Sequence, residues 1–243
     1  MAEAWSEWVV GGQVCQLLVP AQRSPHGYTI VYLHDENELA PPAALVSAAE
    51  QLGLCLVCPR APETWWSDRI CPEFDLHRTA TRFVRETIVQ ALAAEQGIRP
   101  PQIALLGTGS GGEGALRLAF KFPDTFPVVA ALRPAVDFYL RWDHEPSLMA
   151  MYPDPEAARQ ASAILHIHPL YWPRNIWFAC HPLDFWHSGA ERLRMKLSAL
   201  GIPQEYELDW EGAPAPETVL TPMATRAVQF ALERLERERL RVV

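Results

Sequence analysis

Leu105-Leu106-Gly107-Thr108-Gly109-Ser110-Gly111-Gly112-Glu113-Gly114-Ala115-Leu116 decides how this chain is read. An apolar run meets a glycine-rich turn, and small residues then open a helix. That is the frame of a nucleophile elbow, a sharp strand-to-helix turn with the pattern G-x-S-x-G. The middle position here is Gly109, which has no side chain, and the serine stands one place later at Ser110. Whether acyl chemistry survives in such a frame is the question the sequence poses.

Working outward, strands alternate with helices. Val14–Val19 and Thr29–Leu33 read as strands, and Ala43–Leu52 as a helix closed by Gly53. Leu54–Cys58 is a strand, residues 60–74 are a loop rich in Pro and Trp, and His77 to Gln96 is a helix with Val84, Ile88 and Leu92 on one stripe. Ile103–Leu106 is followed by the helix Gly112–Phe122, which Pro123 ends, and by the strand Val128–Leu132. Residues 133–174 read as irregular, with one helix around Pro155–Leu165. Ile176–Cys180 is a strand; Ser188 and Glu191 form a capping box that opens the next helix. Gln204–Leu208 is the last strand, and a terminal helix runs from about Pro222 with Ala224, Val228, Ala231 and Leu235 on one face. The order predicts an α/β fold with a mostly parallel central sheet and helices on both faces. With no linker to divide 243 residues, one domain over residues 1–243 is expected.

Composition narrows the function classes. The formal charge of −8 argues against a general nucleic-acid surface. No apolar run reaches the roughly 20 residues that span a bilayer, so no membrane segment is expected. The start, Met1-Ala-Glu-Ala-Trp, lacks the basic stretch of a signal peptide. Cys55 and Cys58 look like a CxxC, but an odd offset within a strand points them to opposite faces. The five cysteines read as buried thiols, which fits a reducing cytoplasm.

Through the elbow the chain resembles the esterase D family of α/β hydrolases, which includes S-formylglutathione hydrolases, feruloyl and acetyl-xylan esterases and mycolyltransferases. That family reads G-x-S-M-G-G-x-G-A-L-R-L-A where this chain has Gly107 to Ala119. Phe122-Pro123-Asp124-Thr125-Phe126, Ala130 to Ala135, Tyr32-Leu33-His34 and Leu197 to Pro203 are also similar to it. The resemblance implies an α/β-hydrolase fold and no cofactor or metal. The match has no gap at the elbow, so it implies that Gly109 occupies the vacated nucleophile position. Ser110 then stands where the family gives a backbone N–H to the oxyanion hole.

The rest of the triad follows the order Ser, acid, His. The resemblance implies Asp184 as the acid. The histidine position falls in Asp209-Trp210-Glu211-Gly212-Ala213-Pro214, and no histidine follows His187. After the strand ending at Leu33, where the family has a donor-rich loop, stands His34-Asp35-Glu36-Asn37-Glu38, whose carboxylates would oppose a developing oxyanion. Nucleophile and base act as a unit, so the expectation is a pseudo-hydrolase that keeps a pocket for a small ester-like or apolar ligand, or for a partner, with a homodimer as one form. His34, Asp35, Trp66 and His187 are the pocket and oxyanion candidates. Arg69 or Arg133 could meet a ligand carboxylate, the plainer reading being a structural ion pair.

Two other readings stay open. Ser110 with Asp184 and a histidine from another loop would make an active carboxylesterase or thioesterase. His181, Asp184 and His187, joined by His34 and Asp35, contain ligand types that suit zinc or iron, though the spacing matches no metal motif.

Overall fold

The computed structural model describes residues 5–36, 38–209 and 216–242. Strands β1 (Trp5–Val10), β2 (Gln13–Leu18), β3 (Thr29–Leu33), β4 (Cys55–Pro59), β5 (Ile103–Thr108), β6 (Val128–Leu132), β7 (Asn175–Ala179) and β8 (Glu205–Glu207) form one sheet in the order β1-β2-β4-β3-β5-β6-β7-β8. Pairings β1/β2 and β2/β4 are antiparallel and the rest parallel. The inner strands are buried on both faces, as their near-continuous apolar sequences require.

Alternation along each strand divides the core in two. Val31, Leu33, Leu105 and Val129 face one cluster; Ile30, Tyr32, Leu106 and Ala130 face the other. The second cluster is covered by α1 (Ala43–Gln51) and by the long α8 (Pro216–Val242), through Ala224, Val228, Ala231 and Leu235. The first is covered by a mixed helix, α4 (Ser110–Lys121) and α7 (His187–Ala199). The mixed helix runs from α2 (Ala80–Arg82) through π turns at Phe83–Ile88, α3 (Val89–Ala91) and π turns at Leu92–Gln96. Cys58 faces the second cluster with Leu56, and Cys55 has the opposite parity, so the CxxC pair is split across the sheet. Cys15, Cys55, Cys58, Cys71 and Cys180 are all free and buried.

Some elements depart from expectation. The edge strand β1 goes unread in the sequence because only Val10 of its six residues is buried. Residues 133–174 are more ordered than expected, with 3₁₀ turns at Phe138–His144 and Ala163–Leu165 around α5 (Pro146–Met151) and α6 (Pro155–Gln160). The expected capping box is not formed. Helix α7 starts at His187 with Trp186 as its uncapped N-cap, and Glu191 pairs with Arg194 instead. Helix α8 starts before Pro222 and carries that proline inside it.

Candidate functional site

The elbow is built by close backbone packing. A Cβ at Gly107 would strike the Gly111 carbonyl, and one at Gly111 would strike the carbonyl of Leu33, so β5 can turn into α4 against β3 only with glycine at both places. Gly109 sits at the apex with φ 57° and ψ −118°, a conformation that suits glycine. Its N–H bonds the Leu132 carbonyl at 2.9 Å.

Strand register sets what lies on either side. Leu33 pairs with Gly107, so the chain two residues on brings Asp35 to Gly109. Thr108 pairs with Leu132, which brings Arg133 to the other flank of Gly109. Leu132 in turn pairs with Ala179, so the turn carrying Asp184 follows β7 beside Arg133. Four sequence-distant segments therefore converge on one point at the carboxyl ends of the strands, where open α/β sheets place ligands.

The Asp35 carboxylate fills the space beside Gly109. A Cβ added at Gly109 would overlap both of its oxygens. Oδ1 accepts from the Ser110 N–H at 3.1 Å and from the Glu36 N–H at 2.8 Å. These are the N–H after the elbow apex and an N–H of the loop after β3, the two donors from which this architecture builds an oxyanion hole. The carboxylate also sits at the N-terminus of a 12-residue helix, worth about 0.3–1 kcal/mol or more when partly buried. The expectation that the carboxylates here oppose an oxyanion gains a specific form: one of them occupies the donors.

Glu36 turns inward as well. It accepts from the N–H groups of Glu63 and Trp65 at 2.7 and 2.9 Å, and from Ser110 Oγ at 3.4 Å. Burial pushes its carboxyl up to about 7, against those hydrogen bonds, which favour the charged form. The loop it holds contains three non-glycine residues with positive φ, Glu63, Trp65 and Trp66. Ser110 is only 1% exposed, so its hydroxyl faces Glu36 and not an open site.

Arg133, itself at φ 48°, donates from Nε to Asp184 Oδ2 at 2.5 Å. Burial disfavours its charge, but the Asp184 carboxylate, and next Asp35, hold its pKa above the ordinary value. Asp184 Oδ1 accepts the Trp186 N–H at 2.9 Å. The expected triad acid is thus bound to a guanidinium. Of the histidines, His34 is buried, with Nδ1 on the Asp35 carbonyl at 2.8 Å and Nε2 accepting the Ala61 N–H at 3.1 Å. Burial lowers its pKa, which suits a neutral ring spanning two backbone groups. His187 Nε2 lies 3.2 Å from the Leu208 carbonyl, and His181 Nδ1 accepts the Leu183 N–H. No group of three metal-ligating side chains occurs among the described residues. Position 37 and the segment 210–215, where the histidine position was expected, lie outside the described residues.

Trp66, a pocket candidate from the sequence, does not face solvent. It is fully buried under α4, its Nε1 donates to the His34 carbonyl at 2.9 Å, and its Cβ packs where a Gly114 side chain would stand. Below it Glu113 and Arg117 form a buried ion pair, with Arg117 also bonding the Trp65 carbonyl at 2.9 Å. Sequence reasoning placed Asp35 in the oxyanion region and named Arg133 and Asp184, but it did not foresee the Arg133–Asp184 pair or the inward turn of Glu36. The register of β3, β5 and β6 was the signal that could have found them.

The strand order and the elbow define an α/β-hydrolase fold. The family model described as "Putative esterase" matches residues 19–199, and the chain belongs to that esterase family. Comparison with curated sequences finds no match. Among solved structures, S-formylglutathione hydrolase FrmB from Staphylococcus aureus aligns at a TM-score of 0.71 and 12% identity, covering 95% of this chain and 98% of that one. An S-formylglutathione hydrolase from Agrobacterium tumefaciens gives 0.67 and 17%, covering 95% and 94%. FphF, a fluorophosphonate-binding serine hydrolase of Staphylococcus aureus, gives 0.69 and 14%, covering 95% and 98%. No helix among the described residues is long and apolar enough to cross a membrane.

Proposed function

We propose that this chain is a non-hydrolysing member of the esterase family, a pseudo-hydrolase that retains the elbow site for a small ligand or a partner. The observation that carries the reading is the Asp35 carboxylate lying beside Gly109 on the Ser110 and Glu36 N–H groups. Attack on an ester needs a side-chain nucleophile, a base, and donors free to receive the oxyanion. Position 109 offers no side chain, and the Ser110 and Glu36 N–H groups already donate to the Asp35 side chain. The acid, Asp184, holds Arg133. Five free, buried cysteines fit action in the cytoplasm.

The test is labelling with a fluorophosphonate probe, read by intact mass, beside turnover of p-nitrophenyl acetate and S-formylglutathione. The expected result is no adduct and turnover equal to buffer. The alternative, an active carboxylesterase or thioesterase, requires an adduct on Ser110 and turnover that Ser110→Ala abolishes. That outcome would overturn the proposal.

A further inference from the structure

Two charged side chains that flank the elbow apex leave atoms of opposite demand unused. Asp35 spends Oδ1 on two backbone N–H groups, and its Oδ2 has no hydrogen-bond partner among the described residues. Arg133 spends Nε on Asp184, and neither Nη has an acceptor among the described residues. The Arg133 side chain is 23% exposed, so those Nη groups are reachable. Asp35 and Arg133 feel each other's charge but form no ion pair with one another. Register explains why: they stand on opposite flanks of Gly109, one after β3 and one after β6.

We propose that the elbow site binds a free α-amino acid as its zwitterion, the carboxylate on the Arg133 Nη groups and the ammonium on Asp35 Oδ2. This rests on the non-hydrolytic reading above and names the ligand class of that site. A simple carboxylate would gain Arg133 but meet Asp35 and Asp184. A simple amine would gain Asp35 but meet the guanidinium. A molecule that carries both charges on one carbon satisfies both groups, and Arg is the side chain suited to a planar carboxylate. The missing Cβ at Gly109 is what lets the Asp35 carboxylate lie against the elbow apex, across from Arg133. Leu183 and Phe185, the chain neighbours of Asp184, are 73% and 62% exposed.

Isothermal titration of the full chain with each of the twenty common L-α-amino acids tests this. The tightest binder is then compared with its two halves, the acid lacking the ammonium and the amine lacking the carboxylate. The expected result is a Kd below about 1 mM for at least one amino acid, with each half at least tenfold weaker. Asp35→Asn keeps the shape and the acceptor for the two N–H groups, so it folds. It should weaken the amino acid at least tenfold while leaving its des-amino acid as tight or tighter. Arg133→Gln should weaken the amino acid and its des-amino acid together. No binding of any amino acid at about 10 mM, or equal affinity in wild type and Asp35→Asn, would overturn the proposal. The ester assays keep the two failures apart: turnover removes the pseudo-hydrolase reading, whereas silence in both assays removes only the amino-acid site.

Discussion

At the scale of single residues, Gly109 and Asp35 form one unit. A serine at 109 would place its Cβ inside the Asp35 carboxylate, on a backbone with φ 57°. We expect Gly109→Ser alone to lower stability by about 1–3 kcal/mol and to gain no esterase activity. Combined with Asp35→Gly, most of the loss should return. Urea melts of the four proteins in the cycle would read a coupling of about 0.5–3 kcal/mol; simple additivity would refute the unit. Glu36 gives a second prediction. Its folded pKa of about 7 lies above the ordinary 4.5, so the folded state holds the proton more tightly. Stability from this group is full below pH 4.5 and is lost as pH rises through about 7. Its slope is at most about 1.4 kcal/mol per pH unit. Urea midpoints taken across that window should fall less in Glu36→Gln than in wild type. The sequence showed Gly109 and Ser110 by position in the motif. It could not show where the Asp35 carboxylate points, because that follows from β3 lying beside β5, two segments about seventy residues apart.

At the scale of elements, helix α4 tests whether propensity or packing decides. Replacing a mid-helix glycine by alanine favours a helix by about 1 kcal/mol. At Gly114 the new methyl would meet Trp66, whose ring and Cβ are pinned by the loop at 63–66 and by the bond to His34. Packing should win: Gly114→Ala is expected to lower the melting temperature, and a rise would mean the Trp66 loop gives way freely. The central strands and α4 were legible because a continuous apolar run followed by glycines has few other solutions. Strand β1 was not, since the sheet edge leaves most of Trp5–Val10 in contact with solvent and removes the pattern. The start of α7 was misread for a different reason. Ser188 and Glu191 have the spacing of a box, but the turn held by Asp184 on the Trp186 N–H puts the N-cap two residues early.

At the scale of the whole molecule, two apolar layers sandwich one sheet, and all five thiols are buried. Burial raises each of them, Cys71 to about 11 and Cys15 to about 12. Ellman's reagent should therefore react slowly with native protein and count five thiols only in denaturant. Fast reaction of Cys55 or Cys58 in the native state would revive a redox reading of that pair. The α/β class and its two helical layers could be read from alternating periodicity, but the convergence of Asp35, Gly109, Arg133 and Asp184 is a property of the assembled sheet. Helix α8 carries a consequence for synthesis. With α1 it covers the face that carries Ile30, Tyr32, Leu106 and Ala130, and it is translated after every strand of that face. Until it emerges from the ribosome the part of that greasy face beyond α1 stays bare, so the nascent chain is a natural client for holding chaperones, and a stop codon before residue 216 would yield a product that precipitates instead of a smaller working protein.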